Sequence, residues 1–271
     1  MYKPITNRTI WLTGASSGIG FALAEALLKK GNTLILTARN VASLSVLQTA
    51  FPGNVHVLEG DVTDAAAMKA LETRLGEISH SIDSVIINAG SCEYIDLDRS
   101  NPTIDVGLVQ RVTDVNYLGA VRCISIALPF LNQSHKAPHI IGICSAASYQ
   151  GLPRSEAYGA SKAALRHFLQ ALRLDLSPMN MDVSIVYPGF VDTPLTQKND
   201  FPMPFMMSVD EAVTRIIKQL ERRKLEVAFP RRLIWPLKLM SMLPASLGLW
   251  MGRKMVRPHR SSLTHAKEVS K

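Results

Sequence analysis

Cysteine is scarce in this sequence. Cys92, Cys123 and Cys144 form no CxxC pair and no zinc-ligand spacing. A sparse, odd set excludes a disulfide scaffold and predicts reduced thiols in a cytoplasmic compartment, with no metal site. The N-terminal stretch MYKPITNR has no apolar run, which argues against a secretory leader. Internal repeats and low-complexity linkers are also lacking. Acidic residues are rare near the C-terminus: residues 222–260 hold ten Lys/Arg and one acid, Glu226. The formal net charge of +8 is therefore a property of the tail, and the remainder is close to neutral. That distribution argues against a nucleic-acid-binding core.

The chain does have size and a clear rhythm. With 271 residues and 47% hydrophobic content, it can bury a full core in one large α/β domain. Short apolar runs at 9–13, 33–37, 55–58, 84–87, 140–143, 183–186 and 226–229 read as strands. Helical stretches fall between them, at about 21–30, 42–50, 65–75, 106–131, from 162 to about 176, and 209–221. The alternation predicts a Rossmann-type doubly wound parallel sheet of about seven strands flanked by helices. The predicted organisation is a single catalytic domain, 1–230, followed by a C-terminal extension, 231–271. Ligands in such sheets bind at the carboxyl ends of the strands, where the strand order reverses.

Tyr158-Gly-Ala-Ser-Lys162 places a phenol and an ammonium at i and i+4, one turn apart on a helix face. A cation beside a tyrosine favours the phenolate, so the spacing predicts a lowered tyrosine pKa and a general acid/base suited to a carbonyl or alcohol. Alone, YxxxK is as easily an ordinary surface helix. Gly14-Ala-Ser-Ser-Gly18-Ile-Gly20 follows the first strand and opens the first helix. Its glycines permit a tight turn and close approach of a pyrophosphate to the helix N-terminus. The same residues fit the GxSxG elbow of serine hydrolases, centred on Ser16. A purely structural glycine turn is a further alternative.

Several motifs then fall in an order that resembles the short-chain dehydrogenase/reductase family over about residues 8–230. TGASSGIG is similar to the family's TGxxxGxG cofactor loop, which implies Gly14, Ser16, Ser17, Gly18, Ile19 and Gly20 at the cofactor. Asp61-Val62 stands where the family contacts adenine, and Asn88-Ala89-Gly90 resembles the end of its NNAG motif, with Ile87 in place of the first Asn. Asn116 matches the helix asparagine of the catalytic tetrad, and Ser145, thirteen positions before Tyr158, has the spacing of its serine. Tyr158 and Lys162 match the YxxxK pair. Pro188-Gly189 resembles the PG loop, where Val191 and Thr193 would touch the nicotinamide carboxamide. The resemblance implies that Ser145 donates to the developing oxyanion and Tyr158 passes a proton. Lys162 would hold the nicotinamide ribose, and Asn116 would support a proton-carrying water. Ser148 and Ser161 read as helix caps or solvated residues, and Cys144, where a second serine is common, as a small buried hydrophobe.

The cofactor choice is argued from the end of the second strand. Ala38 occupies the place of the acid that binds the ribose of NAD, and Arg39 follows, suited to a 2′-phosphate. NADP(H) is the expected cofactor. The segment 195–208 is the expected substrate lid; its two Phe and three Met between Leu195 and Met207 suit an apolar carbonyl or alcohol, or simply pack the lid. The apolar run 233–251 carries Trp235 and Trp250 between basic flanks, and is interrupted by Pro236, Lys238 and Pro244. It predicts peripheral membrane contact through 231–257, at the inner face of a membrane, rather than a span. A cover for the cleft or a subunit contact is the competing reading, and residues beyond about 257 read as a disordered end. The family implies a homodimer or homotetramer. A cofactor-binding sensor without catalysis is the alternative from another functional class.

Overall fold

A computed structural model describes residues 3–97 and 102–253. Its strands are β1 (Thr9–Thr13), β2 (Thr33–Ala38), β3 (Val55–Glu59), β4 (Ser84–Ile87), β5 (His139–Ile143), β6 (Asp182–Pro188) and β7 (Glu226–Phe229). They form one seven-stranded sheet in the order β3-β2-β1-β4-β5-β6-β7, and every pairing is parallel. The order reverses between β1 and β4, as the doubly wound architecture requires. Nearly every residue of β1, β2, β4, β5 and β6 is buried, because helices cover both faces; these strands therefore read as apolar runs without alternation.

The helices are α1 (Gly18–Leu28), α2 (Ser45–Ala50), α3 (Ala65–Ile78), α4 (Val106–Thr113), α5 (Gly119–Asn132), α6 (Glu156–Leu176), α7 (Val209–Leu220), α8 (Arg231–Met242) and α9 (Ala245–Arg253). Side-chain caps set several starts. Asp64 accepts from the N–H groups of Ala66 and Ala67, and Ser208 from that of Glu211. Leu23, Leu27, Val213 and Ile216 pack one face of the sheet; Leu71, Leu131, Leu165 and Leu169 pack the other. Ile234 and Leu237 of α8 join the second group, so the start of the C-terminal extension is part of that core.

Three local features differ from the sequence expectation. The first helix starts at Gly18, not 21, because Ser17 is already its extended N-cap. The stretch 106–132 is helical throughout but contains a π turn, Asp114–Leu118, which the periodicity does not reveal. Pro236 lies inside α8 and does not end it. The carbonyl left without a partner belongs to exposed Arg232, where water can replace the missing bond. Pro244 does separate α8 from α9. The expected disordered end beyond 257 lies outside the described residues.

His139 is buried at the start of β5. Ser184 donates its only hydroxyl proton to Lys224 O (2.7 Å), so His139 Nε2, 2.8 Å from Ser184 Oγ, must be the donor to it. Burial holds the His139 pKa well below 6.5, reinforced by Arg223, Arg8, Arg173 and Lys3. The unfolded chain protonates this imidazole below about pH 6.5 while the folded chain does not, so stability falls as the pH drops. Urea denaturation should therefore show a larger loss between about pH 7.5 and 5.5 for the wild type than for His139→Gln, which keeps a donor for Ser184. Equal losses would refute the assignment.

Candidate active site

A cleft of about 710 Å³ opens at the carboxyl ends of β1, β4, β5 and β6. The glycine loop forms its floor. Gly14 (φ +66°) approaches the next strand so closely that a Cβ would lie 2.7 Å from Ala89 Cα. A Cβ on Gly20 would lie 2.1 Å from Gly14 O. The Ser17 side chain makes no capping bond, so the first N–H groups of eleven-residue α1 are left for a ligand, at the positive end of the helix dipole. This backbone cradle fits a pyrophosphate.

Asn88 fixes the cradle to the switch point. Its Nδ2 donates to Gly14 O (2.8 Å) and Thr13 O (3.2 Å), while the Asn88 and Ala89 N–H groups donate to Thr13 Oγ1. The expected cofactor positions Gly14, Ser16, Ser17, Gly18, Ile19, Arg39, Asp61, Val62, Asn88, Ala89 and Gly90 all line this cleft. So do Ser145, Tyr158, Lys162, Pro188, Gly189, Val191 and Thr193. Gly20 lies beneath the loop, supporting it. Arg39 is mostly exposed, and its Nη1 is 3.9 Å from Asp61 Oδ2, a loose surface pair that leaves the guanidinium available to an anion. Among the described residues no histidine is hydrogen-bonded to Ser16, so the hydrolase alternative lacks its base.

Tyr158 and Lys162 occupy the first turns of α6, and Ser145 follows β5. Ser145 lies in the same cleft as Tyr158 and acts to lower the pKa of its hydroxyl. Lys162 is buried and its Nζ donates to Ile143 O at 3.0 Å, which aims it across the cleft floor. The electrostatics differ from the sequence expectation. Desolvation dominates and pushes the Tyr158 hydroxyl up, with only Ser145 opposing, and burial pushes the Lys162 ammonium down. The phenol is therefore held protonated at neutral pH, a donor at rest. Burial also raises the Cys144 thiol to about 12, in keeping with its reading as a small hydrophobe.

Asn116 is fully buried in the π turn. Its Oδ1 accepts from Ser91 N (2.9 Å), and its Nδ2 donates to Ser91 O (2.9 Å) and Ser161 Oγ (3.0 Å). Both amide protons are thus used within the protein, in positioning the turn after Gly90 and the helix that carries Tyr158. Ser161 and Ser148 are neither caps nor solvated. Ser161 Oγ donates to Tyr158 O (2.8 Å), and Ser148 Oγ donates to Ser145 O (2.6 Å), so both are buried braces of the Tyr158 and Ser145 backbone.

Contacts that sequence reasoning missed hold the segment 195–208, the expected lid, against the rest of the protein. Arg154 (φ +66°) donates through Nη2 to Asp96 (2.8 Å) and through Nη1 to Asp200 (2.7 Å). Its guanidinium also lies 5.4 Å from the Tyr94 ring centroid. Phe201 of the lid packs edge-on to Tyr94 (5.3 Å) and Phe190 (6.1 Å). One arginine thus ties the loop after β4 to the lid beside Tyr158. No spacing in the sequence links residues 94, 154 and 200.

The chain matches the short chain dehydrogenase family model over residues 8–202. It is 36% identical over 250 residues to an uncharacterized oxidoreductase of Myxococcus xanthus, covering 90% of this chain and 95% of that one. It is 31% identical over 191 residues to a benzil reductase ((S)-benzoin forming) of Saccharomyces cerevisiae, covering 69% and 73%. Among solved structures it is similar to a short chain dehydrogenase from Burkholderia cenocepacia in complex with NADP, with TM-score 0.78, 24% identity and coverage of 94% and 100%. It is also similar to an RhlG/NADP active-site complex of Pseudomonas aeruginosa, with TM-score 0.72, 25% identity and coverage of 81% and 91%.

Exposed Lys198 provides a protease site on the lid. Arg154→Gln removes both ion pairs and should accelerate tryptic cleavage after Lys198 several-fold while leaving cleavage after the other lysines unchanged. An unaltered rate would show that the aromatic contacts alone hold the lid.

Proposed function

The chain belongs to the short chain dehydrogenase family, and from that premise we propose its reaction. It is an oxidoreductase acting on CH–OH and C=O groups with a nicotinamide cofactor. Our reading is that NADP(H) is the cofactor and that the substrate is a lipophilic ketone or aldehyde, or the corresponding alcohol. The carrying observation is that Ser145, Tyr158 and Lys162 converge on one cleft with an uncapped helix N-terminus and a glycine cradle.

When bound, the cofactor supplies or accepts the hydride. The chain's own residues do the rest. Ser145 Oγ donates a hydrogen bond to the carbonyl oxygen as negative charge develops there. Tyr158, held protonated by its surroundings, passes its proton to that oxygen. Lys162, fixed by Ile143 O, would hold the ribose hydroxyls of the bound cofactor, and its positive charge would stabilise the phenolate left behind. Asn116, by this reading, steadies the route by which that proton is replaced. Arg39, with Ser16 and Asn40 lining the same cleft, would meet a 2′-phosphate with charge and paired donors.

An apolar substrate is supported by the ring cluster of Tyr94, Phe190 and Phe201, in which Tyr94 is near Tyr158, and the benzil reductase relative has a bulky aromatic diketone in its name. Exposed Val106, Leu118 and Leu174 on α4, the adjoining π turn and α6 support a homodimer or homotetramer through those helices. Three free cysteines and basic C-terminal helices support a cytoplasmic protein at the inner face of a membrane.

Tyr158→Phe should lower carbonyl reduction by about 10²- to 10⁴-fold while leaving NADPH affinity within about twofold. Because the phenol is held protonated, reduction should be flat through neutral pH, and oxidation, which needs the phenolate, should rise as the pH increases. A Tyr158→Phe variant with normal turnover would end the catalytic reading in favour of a cofactor sensor. Arg39→Ala should weaken NADPH binding by about 10- to 100-fold and leave NADH unaffected, as titrated by fluorescence. Equal loss for both would remove the 2′-phosphate assignment.

A further inference from the structure

Helices α8 and α9 carry a second surface that the reaction does not use. Ile234, Leu237 and Met240 point into the body of the protein. Opposite them, Trp235 (68% exposed), Leu239 (61%) and Met242 (81%) follow at spacings of four and three, a single outward stripe. In α9, Leu247, Leu249, Trp250 and Met251 are exposed as well. Large apolar groups clustered on two consecutive helices go beyond the scattered exposure of an ordinary surface.

The charges around this face have one sign. Arg231 and Arg232 are exposed at the start of α8 and Arg253 at the end of α9. No Asp or Glu occurs from Val227 to Lys267. Lys238, between the ends, is drawn inward by an ion pair with Glu226 and lies over the Tyr149 ring. Helices of 12 and 9 residues, parted at Leu243-Pro244, are too short to span a bilayer, which takes about 20 residues. An apolar stripe with a tryptophan near each end and cations beyond is suited to lie in the headgroup region.

We propose that the α8–α9 face docks on the surface of a bilayer containing anionic phospholipid. A second copy of the chain is a poorer occupant: a two-fold contact would set this face against itself, arginine toward arginine with no acid to pair. The docking has a consequence for the reaction, and in that respect it rests on the function proposed above. The start of α8 abuts the turn that walls the cleft; a Cβ on Gly189 would lie 2.6 Å from Leu233 Cδ2. Gly248 of α9 packs near Gln150, in the loop between Ser145 and Tyr158. A docked chain holds this side of its cleft beside the lipid, where a lipophilic carbonyl is concentrated.

The test uses the full chain with vesicles of phosphatidylcholine alone, or with about 30 mol% phosphatidylglycerol, in co-sedimentation and tryptophan emission. Trp11 is buried and bonded to Thr37, so an emission change reports Trp235 and Trp250. The expected result is at least about tenfold stronger binding to the anionic vesicles, with a blue shift, reversed by about 0.5 M NaCl. Trp235→Glu/Leu239→Glu and, separately, Arg231→Glu/Arg232→Glu should each abolish binding while reduction of a water-soluble ketone is unchanged. Equal binding to both vesicles, or to neither, overturns the proposal. So does an oligomer in sedimentation velocity that the Trp235→Glu/Leu239→Glu variant disperses. Vesicle binding without any carbonyl reduction would leave the docking surface standing and remove the reaction instead.

Discussion

The Asn88 side chain, clasping the Gly14 and Thr13 carbonyls, is the interaction on which the site depends. It joins the ends of β1 and β4, the two strands between which the sheet reverses direction. Two adjacent strands whose following segments turn to opposite faces leave a crevice, and the clasp sets its width. It demands glycine at 14, where any Cβ would strike the Ala89 backbone, and at 20, where one would strike the Gly14 carbonyl. The phosphate cradle is therefore a consequence of how closely two strand ends must approach.

The catalytic groups depend on burial of a different kind. Asn116, Ser161 and Ser148 form a buried polar frame around the Gly90–Ser91 turn, the start of α6 and the backbone of Ser145. The Asn116 amide and the Ser161 and Ser148 hydroxyls are each hydrogen-bonded, which is the condition for polar groups to rigidify a core rather than weaken it. Within it, desolvation outweighs charge: the phenol is pushed toward its neutral form and the ammonium away from its charged one. A tyrosine in this setting is a proton donor first, which suits reduction.

Farther out, control passes to side chains with long reach. Arg154 gathers two carboxylates and a tyrosine ring from three separate segments, and the lid follows. Leu233 and Ile234 carry the C-terminal helices onto the wall of the same cleft. Substrate access is thus shaped by elements added around a sheet whose chemistry is already complete, and the outward stripe of α8 extends that shaping to whatever surface the chain meets.

The strand and helix alternation, the glycine loop, the YxxxK pair and Arg39 were legible because each is a local signal: a period, a turn or a fixed spacing on one element. Those residues reach a common cleft as read. The sequence by itself determined the architecture, the oxidoreductase class and the basic, apolar character of the tail. The tertiary structure alone decided that the Tyr158 pKa moves up rather than down, because desolvation depends on neighbours that no spacing reveals. It also decided that Ser161 and Ser148 are braces, that Arg154 holds the lid, and which side of α8 faces outward. In each case the partners lie far apart in the chain and meet only when the sheet brings them together.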